Sequence, residues 1–151
     1  MIPKSTNPLL IFGTRHGTLY NLTPSNLPAM IPAIQLCYGD LHDYAETLSN
    51  LPEGMSFKKF LGYPENSLTY LTPYDFSKED CMTGCQHNSK VKIKCNKGYT
   101  QITAEIYDHM IDLIKPDIFV GLTEYPALEK DHSSESNKSH KRAICKTKSY
   151  L

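Results

Sequence analysis

The chain has no surplus charge, no long apolar run and no even set of cysteines, and each lack closes off a class of protein. Sixteen Lys and Arg offset sixteen Asp and Glu, whereas a free-standing nucleic-acid binder normally carries a basic excess. Any basic function must therefore be local. The apolar run nearest the start, Leu9 to Phe12, is too short for the core of a secretion signal. Nothing elsewhere approaches the length that a membrane-crossing helix needs. Five cysteines, an odd count, fit a reducing compartment with free thiols better than a disulfide framework. Together these lacks predict an intracellular chain, and 151 residues are enough for one domain with a real core.

Read along its length, the chain predicts an α/β fold. Pro8 to Phe12 reads as a strand closed by Gly13, and Gly17 to Tyr20 as a segment able to pair with it. Thr23-Pro24 marks a turn or helix start, where Pro suits the first helical position. In "AIQLCYGDLHDYAETLSNL", Ile34, Leu36 and Tyr38 alternate as in a strand, Gly39 breaks it, and Leu41, Ala45 and Leu48 follow at helical spacing. Phe57, Phe60 and Leu61 make an apolar face before a turn at Gly62-Tyr63-Pro64.

The clearest hairpin is "SKVKIKCNKGYTQIT". Val91, Ile93 and Cys95 alternate with Lys90, Lys92 and Lys94, and Asn96-Lys97-Gly98 offers residues that tolerate positive φ. Thr103 can cap the next helix, with Glu105 in its first turn. Ile106, Met110, Leu113 and Ile114 form its apolar stripe, and Pro116 ends it. Ile118 to Leu122 then reads as a strand apolar on both faces, as in a parallel, doubly covered position. Residues 129–142, "EKDHSSESNKSHKR", lack the apolar residues to build a core and predict a flexible connection. Residues 143–151 read as the start of a further helix.

Few residues announce chemistry. Cys81, Cys85, His87 and Cys95 supply thiolate and imidazole, which suit zinc, but their spacing matches no standard zinc module. Gly13 to Gly17 resembles a phosphate loop without its Gly-Lys-Ser/Thr ending, so ordinary turn glycines are the simpler reading. Arg15 and His16 remain candidates to meet RNA phosphate or another subunit. The lysines at 90, 92 and 94 are first a solvated strand face and second a phosphate-tracking edge. Asp108 and Asp112 lie on the polar side of their helix. Asp117 precedes its strand, the wrong end for catalysis in this architecture. No nucleophile elbow or His-Glu-x-x-His pattern is present.

Three stretches, in order, resemble the tRNA-guanine transglycosylases, and in particular their non-catalytic branch: "GTLYNLTPSNLPAMIP", "FLGYPENSLTYLTPYDF" and "QITAEIYDHMIDLIKPDIFVGLTEYP". The resemblance implies an irregular (β/α)₈ TIM barrel with an antiparallel N-terminal sheet. Residues 1–128 would be its N-terminal part, and the barrel would be incomplete. It implies an accessory role, not an enzyme, in exchanging guanine for queuine at the tRNA wobble position. The partners would be tRNA and the catalytic subunit of a queuine tRNA-ribosyltransferase, joined as a heterodimer. The place would be the cytoplasm, with peripheral attachment at the mitochondrial outer membrane.

The departures from the family set the functional expectation. Between Tyr74 and Ser89 nothing matches the family's Asp-Ser-Gly-Gly-Phe-Gln stretch. Thr123 replaces the base-recognising Asp. The nucleophilic Asp and the zinc ligands of the family would lie beyond Leu151, so no catalytic residue, substrate contact or metal ligand is expected in this chain. The alternative is a small soluble α/β enzyme or zinc-binding protein using Cys81, Cys85 and His87.

Overall fold

The β-branched and aromatic runs form strands, and some of the glycines, Gly17 and Gly98 among them, sit where the chain turns. The computed structural model describes residues 10–27, 31–75 and 90–123. Cys81, Cys85 and His87 lie outside these, as do the polar segment 129–142 and residues 143–151. β1 (Ile11–Arg15) continues through Gly13 instead of ending before it. A Cβ at Gly13 would meet nothing within 4 Å, so that glycine has no reason to stop a strand. The turn comes at His16 and Gly17, with φ of 51° and 81°, and leads into the antiparallel β2 (Thr18–Leu19). A 3₁₀ turn at Pro24–Asn26 starts on the expected proline.

β3 (Ala33–Cys37) runs parallel to β1. It stops one residue early. Tyr38 opens a short helix, α1 (Tyr38–Leu41), and Gly39 lies inside it instead of breaking the strand. A Cβ at Gly39 would sit 2.2 Å from the main-chain oxygen of Lys94, so the glycine is there for close approach of two backbones. A 3₁₀ turn at His42–Tyr44 and α2 (Ala45–Ser49) follow, then α3 (Phe57–Phe60), capped by the Ser56 side chain. Phe57 is buried in α3, but Phe60 is 48 % exposed, because four residues offer only one inward position. β4 (Leu68–Thr72) lies parallel to β3 over five residue pairs.

β5 (Val91–Cys95) and β6 (Gly98–Ile102) form the expected hairpin as a separate two-stranded sheet. Of Asn96, Lys97 and Gly98, the glycine alone takes positive φ, at 121°. Thr103 caps α4 (Ala104–Ile114), its side chain accepting from the Ile106 N–H. Met110 and Ile114 are buried as expected, while Ile106 is 45 % exposed and Tyr107 takes its place in the core. Tyr107 is long enough to reach the sheet, where its hydroxyl donates to the Val120 oxygen at 2.8 Å.

Lys115, in left-handed conformation, ends α4 before Pro116, where right-handed helix is disfavoured. β7 (Ile118–Phe119) then pairs parallel with β4. Double coverage of this strand is not found. Among the described residues β7 is the sheet edge, two residues long, and Phe119 is 52 % exposed. Asp117, just before β7, binds Thr69 at the start of β4. It accepts from the Thr69 N–H and hydroxyl, both at 2.8 Å, and from Lys58 Nζ at 3.4 Å.

The result is a mixed α/β fold whose main sheet runs β2-β1-β3-β4-β7. Its four parallel strands are neighbours in the order in which the chain makes them. One face of the sheet is fully packed: Ile34, Leu36 and Leu71 are 0 % exposed. They join Tyr38, Tyr107, Met110 and the hairpin's Val91, Ile93 and Ile102 in a single cluster. On the opposite face Gln35 and Tyr70, in register with Gly13 and Ile118, are only half-buried.

Candidate functional site

Parallel strands bring their carboxyl ends to one side, which is where loops free of pairing duties collect polar groups. Here that side gathers His16 after β1, Asp40 in the helix after β3, Tyr74 and Asp75 after β4, and Thr123 after β7. The tip of the β5–β6 hairpin reaches the same side. The Asn96 side-chain amide lies 3.2 Å from the Asp40 main-chain oxygen and 3.3 Å from His16 Nδ1. Asp40 is 5 % exposed, and its carboxylate accepts from the His16 N–H at 3.4 Å. His16 takes its positive φ in the turn that Asp40 holds. Much of this arrangement is therefore a tie between two turns and a hairpin.

Two clefts meet there. One, of about 270 Å³, is lined by Cys37, Asp40, Tyr74, Asp75, Cys95 and Asn96 among others. The other, of about 280 Å³, lies against the half-buried face, with Gly13, Gln35, Tyr70 and Tyr20 in its wall. Cys37 and Asp75 belong to both. Gln35 is oriented from within the sheet, its Nε2 donating to Thr72 Oγ1 at 3.3 Å.

The thiols in this wall are not activated. Burial pushes Cys37 up to about 11, against main-chain hydrogen bonds from Asp40 and Gly39 that lower it, while the charges of Asp40 and Asp75 add to the rise. Burial likewise pushes Cys95 up to about 12, with the Asp43 carboxylate next in effect. Both stand protonated at neutral pH, and a protonated thiol is neither nucleophile nor good metal ligand. Tyr38 and Tyr107, which pack with ring centroids 5.4 Å apart, are also shifted upward by burial. They serve as neutral hydrogen-bonding core residues.

Thr123 follows β7 by four residues, since the strand ends at Phe119 instead of running to Leu122. Its main-chain oxygen accepts from the Tyr74 hydroxyl at 2.5 Å, which joins the exits of β4 and β7. Its own hydroxyl oxygen is buried and, among the described residues, has no hydrogen-bond partner. Among the described residues no group of three or more His, Cys, Asp or Glu side chains could hold a metal ion. Cys81, Cys85 and His87, the basis of the alternative zinc reading, are outside the described residues. Asp108 and Asp112 are exposed, and Asp117 lies at the opposite end of the sheet, tied to Thr69.

Sequence reading alone did not find Asp40, Asn96 and His16 as a group, nor Cys37 and Asp75 as shared wall. Asp40 carried a signal in its position just past a strand end, next to a glycine, and His16 stood out only with Arg15 as a phosphate or subunit contact; Asn96, Cys37 and Asp75 carried none as site residues. No family model matches the chain, and no curated protein matches it. Among the described residues no helix is long and apolar enough to cross a membrane.

Proposed function

We propose that this chain is the N-terminal part of a non-catalytic, accessory subunit of a queuine tRNA-ribosyltransferase, assisting the exchange of guanine for queuine at the tRNA wobble position. The observation that carries the reading is the exit of β7. In the catalytic members that the sequence resembles, an aspartate at the corresponding place recognises the base. Here Thr123 offers a neutral hydroxyl, which cannot accept paired N–H donors as a carboxylate does.

Two features of the fold support an incomplete (β/α)₈ barrel. Its parallel strands follow one another in chain order, as barrel strands do. One sheet face is sealed by helices and the hairpin while the face bearing Gln35 and Tyr70 stays half-open, as an inner wall would before the remaining strands close around it. Protonated thiols in the cleft fit a subunit that contributes shape instead of chemistry. Its role would be to pair with the catalytic subunit and to help it hold tRNA, in the cytoplasm and at the mitochondrial outer surface.

The test is co-purification of this chain with a tagged catalytic subunit. Retention on the tagged partner is expected. The chain alone, incubated with labelled guanine and substrate tRNA, is expected to incorporate none. Exchange by the isolated chain would overturn the accessory role.

A further inference from the structure

A further cavity, of about 310 Å³, lies where the start of α3 meets the end of α4. Lys58, in its wall, reaches Asp117, which puts the cavity at the end of the sheet away from the clefts already described. The floor is apolar. Phe57 and Ile114 are 4 % and 5 % exposed, and Met55 and Leu113 are half-buried in the same wall. Three polar side chains complete it, and they differ in what they have left to give. Lys58 is spent: its three protons meet the Glu65 and Ser67 main-chain oxygens, at 3.2 and 3.0 Å, and the Asp117 carboxylate at 3.4 Å. Ser56 accepts from the Lys59 N–H at 3.2 Å as the cap of α3, and its own proton has no acceptor among the described residues. Lys115 is exposed and makes no ion pair among the described residues. No Asp or Glu stands in the described wall.

We propose that this cavity binds a small apolar carboxylate, its tail on Phe57 and Ile114 and its head at Lys115 and Ser56. The volume stands at the lower end of the usual range for small-molecule sites, which suits a compact tail. Met55 adds an unbranched, pliable side chain that can follow the tail's shape. The position of Lys115 decides the sign of the head. The carboxyl end of α4 carries partial negative charge and by itself repels an anion. An anion belongs here only because a cation stands directly past that end. A neutral alcohol would fill the floor and leave the ammonium to water, and an amine would set two cations together. The site is independent of the accessory role proposed above, and co-purification with a catalytic subunit bears on it in neither direction.

The test is an NMR titration of the full chain, carrying carbon-13 in its methionine methyls, with octanoate, octanol and octylammonium in turn. Octanoate is expected to move the Met55 methyl signal to saturation, while Met110, in the core at 2 % exposure, keeps its position. Lys115→Gln is expected to weaken octanoate binding about two- to fivefold, the range for an exposed ion pair, and to leave octanol binding unchanged. Octylammonium is expected to bind more weakly than octanoate. The Met110 signal, at its wild-type position, shows that the variant is folded. A Met55 signal that does not saturate would overturn the proposal, as would a Lys115→Gln chain that loses no more affinity for octanoate than for octanol. Octylammonium binding as tightly as octanoate would also overturn it. So would movement of Met110 in step with Met55, the mark of octanoate loosening the core instead of entering a site.

Discussion

Asp117 joins three segments through one carboxylate. It accepts from Thr69 twice and from Lys58 once, and Thr69 is 2 % exposed. Partial burial works against its charge, but the bonds from Thr69 and Lys58 outweigh it and hold the carboxyl below its ordinary value. The folded value lies under the unfolded one. The stabilisation is therefore complete above the unfolded value, about pH 4, and is lost as pH falls through the folded one. Asp117→Ala leaves a buried Thr69 N–H without its partner, and is expected to cost about 1–3 kcal/mol at pH 7. Urea melts of both proteins across pH should show that gap narrow below about pH 4. A gap as wide at about pH 2 as at about pH 7 would mean that the carboxylate's charge contributes nothing.

At the level of elements, the contact of α1 with β5 is set by a missing side chain. Gly39→Ala would place a methyl 2.2 Å from the Lys94 oxygen, and backbone on both sides leaves little room to yield. Overpacking of this kind costs about 1–3 kcal/mol, and hydrogen exchange should show the loss concentrated in the hairpin. Protection unchanged at β5 would show that the two backbones separate freely.

The same glycine shows what the sequence could and could not disclose. The hairpin and α4 were legible because alternation and the 3.6-residue stripe are local, repeated signals. Gly39 read as a strand breaker because its partner, Lys94, is remote in the chain. Ile106 and Phe60 read as core because periodicity gives a face but not what lies opposite it. β7 read as doubly covered from its composition, yet coverage is a property of neighbours. The site was less legible still. Thr123 read as the exit of a strand ending at Leu122, but β7 ends at Phe119, and Asp40, His16 and Asn96 meet only through turns and a hairpin far apart in sequence.

Over the whole molecule, the described sheet has one conspicuous open side. β7 pairs with β4 alone, and Phe119 is 52 % exposed on it. A short parallel edge with an aromatic side chain invites pairing with further strands or other copies. The isolated chain is expected to self-associate, and Phe119→Lys to reduce light scattering at a stability cost within about 0.5 kcal/mol, as for exposed positions generally. Equal scattering from both proteins would move the sticky surface elsewhere.

The chain-order arrangement of the parallel strands also bears on biosynthesis. Each strand's next neighbour is the next one to leave the ribosome, so β1 waits only for β3 and β3 only for β4. A sheet that grows outward in the direction of translation never holds a gap for a late strand to enter. Its newest edge is always its most vulnerable one, and among the described strands that edge is β7.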